Sequence, residues 1–191
     1  MRILVTSLFC IVTVSFTAFS QEQRFTIRTG AGYYMDVYTA DDGPIIWLEG
    51  GYKFGTGFIM NARISMASLD WKIREGTFGD YTTIQLRQMV DLTISRPVNI
   101  KGQHFLEPGV GFKLKREYFL KPDVTNIYNG GTYYQYTSYS DIIWEIGFTI
   151  CLDYYYQFQN NFYLGLRADT NIIWALGFEG LSVSPLFGFR F

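Results

Sequence analysis

The sequence predicts an all-β chain: eight antiparallel strands, running up and down, closed into a transmembrane barrel. Three observations predict it. Apolar and polar residues alternate with a period of two in eight segments separated by turn residues, the mark of a strand with two unlike faces. Glycine is concentrated at the polar positions of that alternation, at 30, 32, 109, 111, 147, 165 and 188. Aromatic residues gather at the two ends of the segments, in a chain that is 19% aromatic and only 17% charged. With 191 residues the chain corresponds to one domain, or at most two.

Composition excludes several classes. Nineteen glycines against five prolines indicate tight turns and close backbone contacts rather than disorder. A formal charge of -1 offers no electrostatic footprint for nucleic acid. Two cysteines and one histidine fall short of a structural Cys/His metal site, so no metal and no cofactor is expected.

Residues 1–20 are expected to be a secretory signal peptide. Met1-Arg2 is positive, Ile3 to Phe19 carries no charge, and Ala18-Phe19-Ser20 places small residues at -3 and -1 of a cut before Gln21. The other readings are an uncleaved membrane helix, at the short limit for a span, and a lipoprotein processed at Cys10, where Phe9 stands in place of a small residue. Cleavage leaves residues 21–191 as the barrel domain with Cys151 as its one thiol. That residue reads either as a reactive thiol or as a small packing group.

The first strand is read over about 24–37, with Ile27, Ala31, Tyr33 and Met35 against Arg28, Gly30, Gly32 and Asp36. The second covers 45–54 (Ile46, Leu48, Tyr52 against Glu49, Lys53) and the third 57–69 (Phe58, Met60, Ile64 against Asn61, Arg63). The fourth covers 82–96 (Leu86, Val90, Leu92 against Arg87, Asp91) and the fifth 104–116 (Val110, Phe112, Leu114 against Glu107, Lys113, Lys115). The sixth covers 141–154 (Trp144, Ile146, Ile150 against Glu145, Gly147, Asp153) and the seventh 161–173 (Leu164, Leu166 against Arg167, Asp169). The last runs from about 181 to Phe191, with Val183, Pro185, Phe187 and Phe189 against Ser182, Ser184 and Arg190.

Alternation alone does not say which face is inside. The glycines decide for a lipid-facing exterior: small residues among Arg, Lys, Asp and Glu suit a narrow lumen, whereas on a solvated face they would only weaken a strand. Tyr52, Phe54, Phe58, Tyr154, Tyr156, Phe158, Phe162, Phe189 and Phe191 fall at one end and Tyr33, Trp47, Trp71, Trp144 and Trp174 towards the other, as two interfacial girdles. A soluble, lipid-carrying barrel with an aromatic core is the competing reading. Connections read as short at 55–56 and 157–160 and moderate at 97–103, against longer ones at 70–81 and 117–140; long loops belong on the extracellular side. An even strand number puts both termini on the periplasmic side.

The chain thus resembles the outer-membrane β-barrel domain family of Gram-negative bacteria, in its small eight-stranded form, over essentially all of 22–191. The stretch Leu181-Ser-Val-Ser-Pro-Leu-Phe-Gly-Phe-Arg-Phe191 carries the resemblance most specifically, and His104-Phe-Leu-Glu-Pro-Gly-Val-Gly-Phe112 adds a weaker match. The resemblance implies that Phe187, Phe189 and Phe191 form an assembly signal for the outer-membrane barrel assembly machinery, and that outer-membrane lipids surround the barrel. Pro185 departs from the simplest pattern and requires a bulge or an unpaired donor position.

On this register the lumen collects a charge network that includes Arg28, Glu49, Arg63, Arg87, Asp91, Glu107, Lys113, Glu145, Arg167 and Asp169, together with Asp36, Lys53, Lys115, Asp153 and Arg190. Mutual neutralisation is expected, because an unpaired buried charge costs several kcal/mol; a narrow selective pore is the alternative. Enzyme motifs are nearly absent. Gly30-Ala-Gly32 and Gly109-Val-Gly111 lack the third glycine of a dinucleotide loop. The sole His104 lies on the periplasmic side, away from the outer leaflet where a lipid-modifying enzyme would need its base. No catalytic residue is therefore assigned, and a lipid-modifying enzyme remains an alternative. The expected working surface is the 117–140 loop. Its Tyr128, Tyr133, Tyr134 and Tyr136 flank Asn129-Gly130-Gly131, a tight-turn signal between β-prone arms that reads as a hairpin continuing the fifth and sixth strands. They combine rigid contact area with polar neighbours suited to an unidentified extracellular protein, the other reading being a solvated loop whose tyrosines rest on the headgroups.

Overall fold

In the computed structural model, residues 24–38, 40–75, 79–128, 132–174 and 177–191 are described, with backbone only over 70–84 and 119–141. The signal-peptide reading of 1–20 lies outside them. The strands are β1 (Phe25–Asp36), β2 (Asp42–Lys53), β3 (Ile59–Glu75), β4 (Gly79–Ser95), β5 (Val98–Lys101), β6 (His104–Tyr128), β7 (Thr132–Gln157), β8 (Phe162–Ile173) and β9 (Gly177–Arg190). Neighbours in sequence pair antiparallel, β9 returns to β1, and β4 pairs with β6 past the four-residue β5. Eight strands thereby close a cylinder as predicted, and closure removes the sheet edges that lipid could not satisfy. The described residues contain no helix long and apolar enough to cross a membrane; the crossing elements are strands.

The two faces are inverted relative to a water-soluble barrel. Outward positions carry Ile46, Ile64, Leu92, Val110, Phe112 and Ile146, the last 68% exposed. Inward positions carry Arg28, Glu49, Arg63, Asp91, Glu107 and Arg167, each at most 3% exposed. At the end that holds residues 24 and 191, Phe25, Tyr52, Phe54, Phe189 and Phe191 form a run of ring contacts with centroids 5.1–6.2 Å apart, and His104, Tyr156, Phe158 and Phe162 form another with centroids 4.8–5.6 Å apart. Trp144 and Trp174 are exposed towards the other end. Trp47, expected in that girdle, points inward instead. It shares the phase of Glu49, and its indole Nε1 donates to Ser184 Oγ at 2.8 Å. The indole of Trp71 lies outside the described side chains.

The 70–81 connection, expected as a loop, is an extended hairpin, and the 117–140 segment forms the hairpin that its turn signal and β-prone arms suggest. Pairing between β3 and β4 continues to Glu75↔Gly79, and between β6 and β7 to Tyr128↔Thr132. β-branched and aromatic residues on both arms (Val124, Thr125, Ile127; Tyr133, Tyr134, Thr137) favour strand. The turn residues Asn129-Gly130-Gly131 lie outside the described residues. The moderate connection at 97–103 contains β5. The short turn after β2 is closed by Phe54 N–H to Phe58 O at 2.8 Å, with Gly57 at φ 85°, a conformation that favours glycine.

Pro185 sits in an interruption rather than a bulge. Partners across β1 and β9 run to Thr29↔Phe187 and resume, in the same register, at Tyr33↔Val183. At the terminal end of the seam, reciprocal bonds join Phe25 and Phe191, both 2.9 Å. Deleting Phe191 removes both bonds, each worth about 1 kcal/mol, whereas Phe191→Ala keeps them and removes only the ring. Heat-modifiable migration of the membrane-inserted protein should fall more for the deletion than for the alanine variant; equal loss would place the effect in the ring alone.

Candidate functional site

The lumen is filled by three tiers of ion pairs. Nearest the end that holds residues 24 and 191, Arg28 on β1 reaches Glu107 on β6 at 2.7 Å and Asp153 on β7 at 3.0 Å, and lies 3.4 Å from Glu49. Arg167 on β8 binds Glu49 through two nitrogens at 2.7 and 3.0 Å, and Asp153 likewise at 2.6 and 2.7 Å. The tier is completed by Arg28 Nε donating to Tyr163 Oη at 2.8 Å, and by Tyr155 and Ser95 donating to Glu107 at 3.1 and 2.6 Å.

In the middle tier Arg63 on β3 bridges Asp91 at 2.8 Å and Asp169 on β8 at 2.8 and 3.1 Å. Lys113 lies 3.2 Å from Asp91 and bonds Asn171, while Ser182 donates to Asp169 at 2.8 Å. In the upper tier Arg87 pairs with Asp36 and, at 2.7 Å, with Glu117. Lys115 pairs with Glu117 at 2.7 Å and also with Glu145 and Glu179. One oxygen from each of those three carboxylates falls within 4.8 Å of the others, spacing that could hold a cation. The Lys115 ammonium already touches all three, so the protein supplies that positive charge itself.

All ten residues assigned to the network by sequence lie inside, as do Asp36, Lys115 and Asp153; Glu145 sits nearest the mouth with a side chain 21% exposed. Lys53 does not belong there: it is half-buried at the end of β2, where the wall ends and the chain turns. Two members escaped the sequence reading. Glu117 continues the Lys113, Lys115 phase beyond the expected end of the strand. Glu179 has the wrong parity for β9, but the pairs Asn171↔Gly180 and Ile172↔Phe178 leave it as the extra residue of a bulge, which turns it inward. Alternation gives no signal for that residue.

Aromatic side chains share the lumen because glycines leave room. A Cβ at Gly188 would fall 2.2 Å from the Tyr163 ring, and one at Gly30 would fall 2.6 Å from Trp47. Cys151 is a buried, unpaired inward thiol beside Gly109. His104 contacts the girdle, its Nδ1 2.8 Å from Tyr154 Oη. Phe187 and Phe189 face outward on β9. The backbones of Tyr128, Tyr133, Tyr134 and Tyr136 lie in the β6–β7 hairpin, opposite Thr132, Ile127, Asn126 and Val124; their side chains lie outside the described set.

A closed eight-stranded cylinder, apolar outside and charged within, is a transmembrane β-barrel of the small outer-membrane type. Solved structures share this fold. Neisserial surface protein A superposes with a TM-score of 0.60 at 11% identity, over 89% of this chain and 98% of that one. A major outer membrane protein from Thermus thermophilus gives 0.55 at 10% identity, over 87% and 99%, and OprG from Pseudomonas aeruginosa gives 0.52 at 12%, over 88% and 95%. At these identities the likeness is one of fold. No family model and no curated protein matches the sequence.

The tiers make two outcomes measurable. Arg28→Leu leaves Glu107 and Asp153 short of a partner and should lower unfolding free energy in phospholipid vesicles by about 3–5 kcal/mol, with Arg28→Lys losing less; urea titration measures both. Because the bridges cross the lumen, the purified barrel should show no steady single-channel current in planar bilayers, and Arg28→Leu combined with Arg63→Leu should be the first variant to leak.

Proposed function

We propose that, after loss of residues 1–20, the protein is an integral barrel of a Gram-negative outer membrane, without enzymatic activity, whose work is done by the raised β6–β7 hairpin as a binding surface. The observation that supports this most directly is a free strand edge. β6 has β4 as a neighbour only as far as Ile84↔Leu120, and β7 has β8 only from Gly147↔Ile173 onwards. Past those points each arm of the hairpin has one strand partner among the described residues. The hairpin rises roughly 40 Å along the strand beyond Arg116, past the apolar band.

Unpaired backbone donors and acceptors of this kind capture an extended segment of another protein by strand addition. Tyr128, Tyr133, Tyr134 and Tyr136 lie on these arms and would supply side-chain selectivity. The partner is an extracellular protein presenting an extended segment. During biogenesis the assembly machinery would read Phe187, Phe189 and Phe191 at the C-terminal end of the chain, and outer-membrane lipids would cover the apolar band. A lipid-modifying enzyme finds less support, since His104 stands in the girdle at the end opposite the hairpin.

Photocrosslinkers at 128, 133, 134 and 136 in intact cells test the reading. A dominant captured protein is expected, and replacing 122–138 by a short Asn-Gly turn should abolish capture while the barrel stays heat-modifiable. A shortened barrel that keeps every crosslink and phenotype overturns the binding role, and recovery of the mature chain from soluble periplasm without detergent overturns the membrane assignment.

A further inference from the structure

On the half of the apolar outer wall nearest the raised hairpin stands a basic group, Arg116, with no counter-charge among the described residues. It faces outward on β6, opposite Gln88 on β4 and Trp144 on β7. Along β6 the outward side chains read Val110, Phe112, Leu114, Arg116, Tyr118; along β4 they read Ile94, Leu92, Val90, Gln88. The first long polar side chain on each of these strands, Gln88 and Arg116, falls in the same cross-strand row, with Leu86 and Tyr118 next beyond it on the side of the raised hairpin.

Two rings hold the guanidinium: its carbon is 4.2 Å from the centroid of Tyr118 and 5.2 Å from that of Trp144. Ring contact satisfies the faces of the ion by cation–π attraction. Among the described residues Arg116 makes no ion pair, and its Nε is enclosed by the protein with no hydrogen-bond partner. A guanidinium stacked in this way can turn its two terminal nitrogens to two oxygens of one phosphate.

Below and beside it lies a groove of about 570 Å³ on the outer wall, lined by Ile46, Leu48, Ile64, Met66, Val90 and Leu114 with Gln88, Arg116 and Trp144 at its polar end. These residues occupy two adjacent cross-strand rows, Ile46–Met66–Gln88–Arg116–Trp144 and Leu48–Ile64–Val90–Leu114. We infer that this is a site for one anionic, phosphate-bearing membrane lipid, its headgroup on Arg116 and an acyl chain in the groove. The charge of the headgroup and the apolar lining of the groove fit the two halves of that one molecule. The inference rests on the membrane-spanning reading and is independent of what the hairpin binds.

The barrel, folded into nanodiscs of phosphatidylcholine and phosphatidylglycerol with identical acyl chains, is released for native mass spectrometry. Wild type should retain one phosphatidylglycerol above its bulk proportion. Arg116→Gln should lose that enrichment about fivefold, and Arg116→Lys should keep part of it. Equal retention of both lipids by wild type, or no difference between wild type and Arg116→Gln, overturns the inference. Heat-modifiable migration of each variant shows that the barrel is inserted, so failure of lipid selection is separable from failure of the membrane reading; the hairpin-shortened barrel should select lipid as wild type does.

Discussion

Pairing of charge across the lumen is the constraint on which the rest of this barrel depends. In the ring of eight long strands β1 stands opposite β6, and β3 opposite β8. Arg28 and Arg63 span those diameters to Glu107 and Asp169. Apolar side chains that face lipid cannot take the place of a core in holding the cross-section, since lipid is as apolar as they are. Among the described residues the buried apolar groups gather in two small clusters, one around Tyr34, Ile45 and Met89 and one around Trp47 and Leu186. The ion-pair tiers take that place, tying far walls together with partners that have almost no water to turn to. Removing one arginine therefore acts on the whole section and not on a single strand.

That constraint also dictates the small residues. The luminal arginines and lysines with their carboxylates, plus Trp47, Tyr34, Tyr155 and Tyr163, cannot share a narrow cylinder unless neighbouring positions lack side chains. Gly30 and Gly188 meet that need at Trp47 and Tyr163. The glycines at polar positions, which pointed to a lipid-facing exterior, are thus the geometric counterpart of the large polar groups inside.

Much of this was legible because period-two alternation carries the phase of each strand. Once Glu49 is inward, Trp47 must be inward too; ascribing it to the girdle followed residue type and ignored phase. Lys53 shows the opposite limit, since phase says nothing about where a wall stops. The β6–β7 arms no longer alternate with apolar residues, but the β-propensity of their Tyr and Thr and the turn signal at Asn129-Gly130-Gly131 still marked a hairpin there, whereas the β3–β4 extension over 70–81 read only as a loop. Glu179 was beyond reach, because a bulge inserts a residue and reverses parity without any compositional mark. The groove at Arg116 depends on rows formed by five strands and has no linear signature.

The seam between β1 and β9 shows how interior and backbone compensate one another. Proline at 185 removes a donor where the first and last strands must join, and regular pairing lapses across Gly30–Gly32. The indole of Trp47 lies over Gly30, and its N–H crosses β1 to Ser184, the residue before the proline. Arg167 stacks on that indole at 4.5 Å and is itself fixed by Glu49 and Asp153. The gap in the ladder is thereby bridged from within, by a side chain that only a glycine at position 30 could admit and that the ion-pair tier holds in place. Closure at this seam is a property of the filled lumen as much as of the strands that form it.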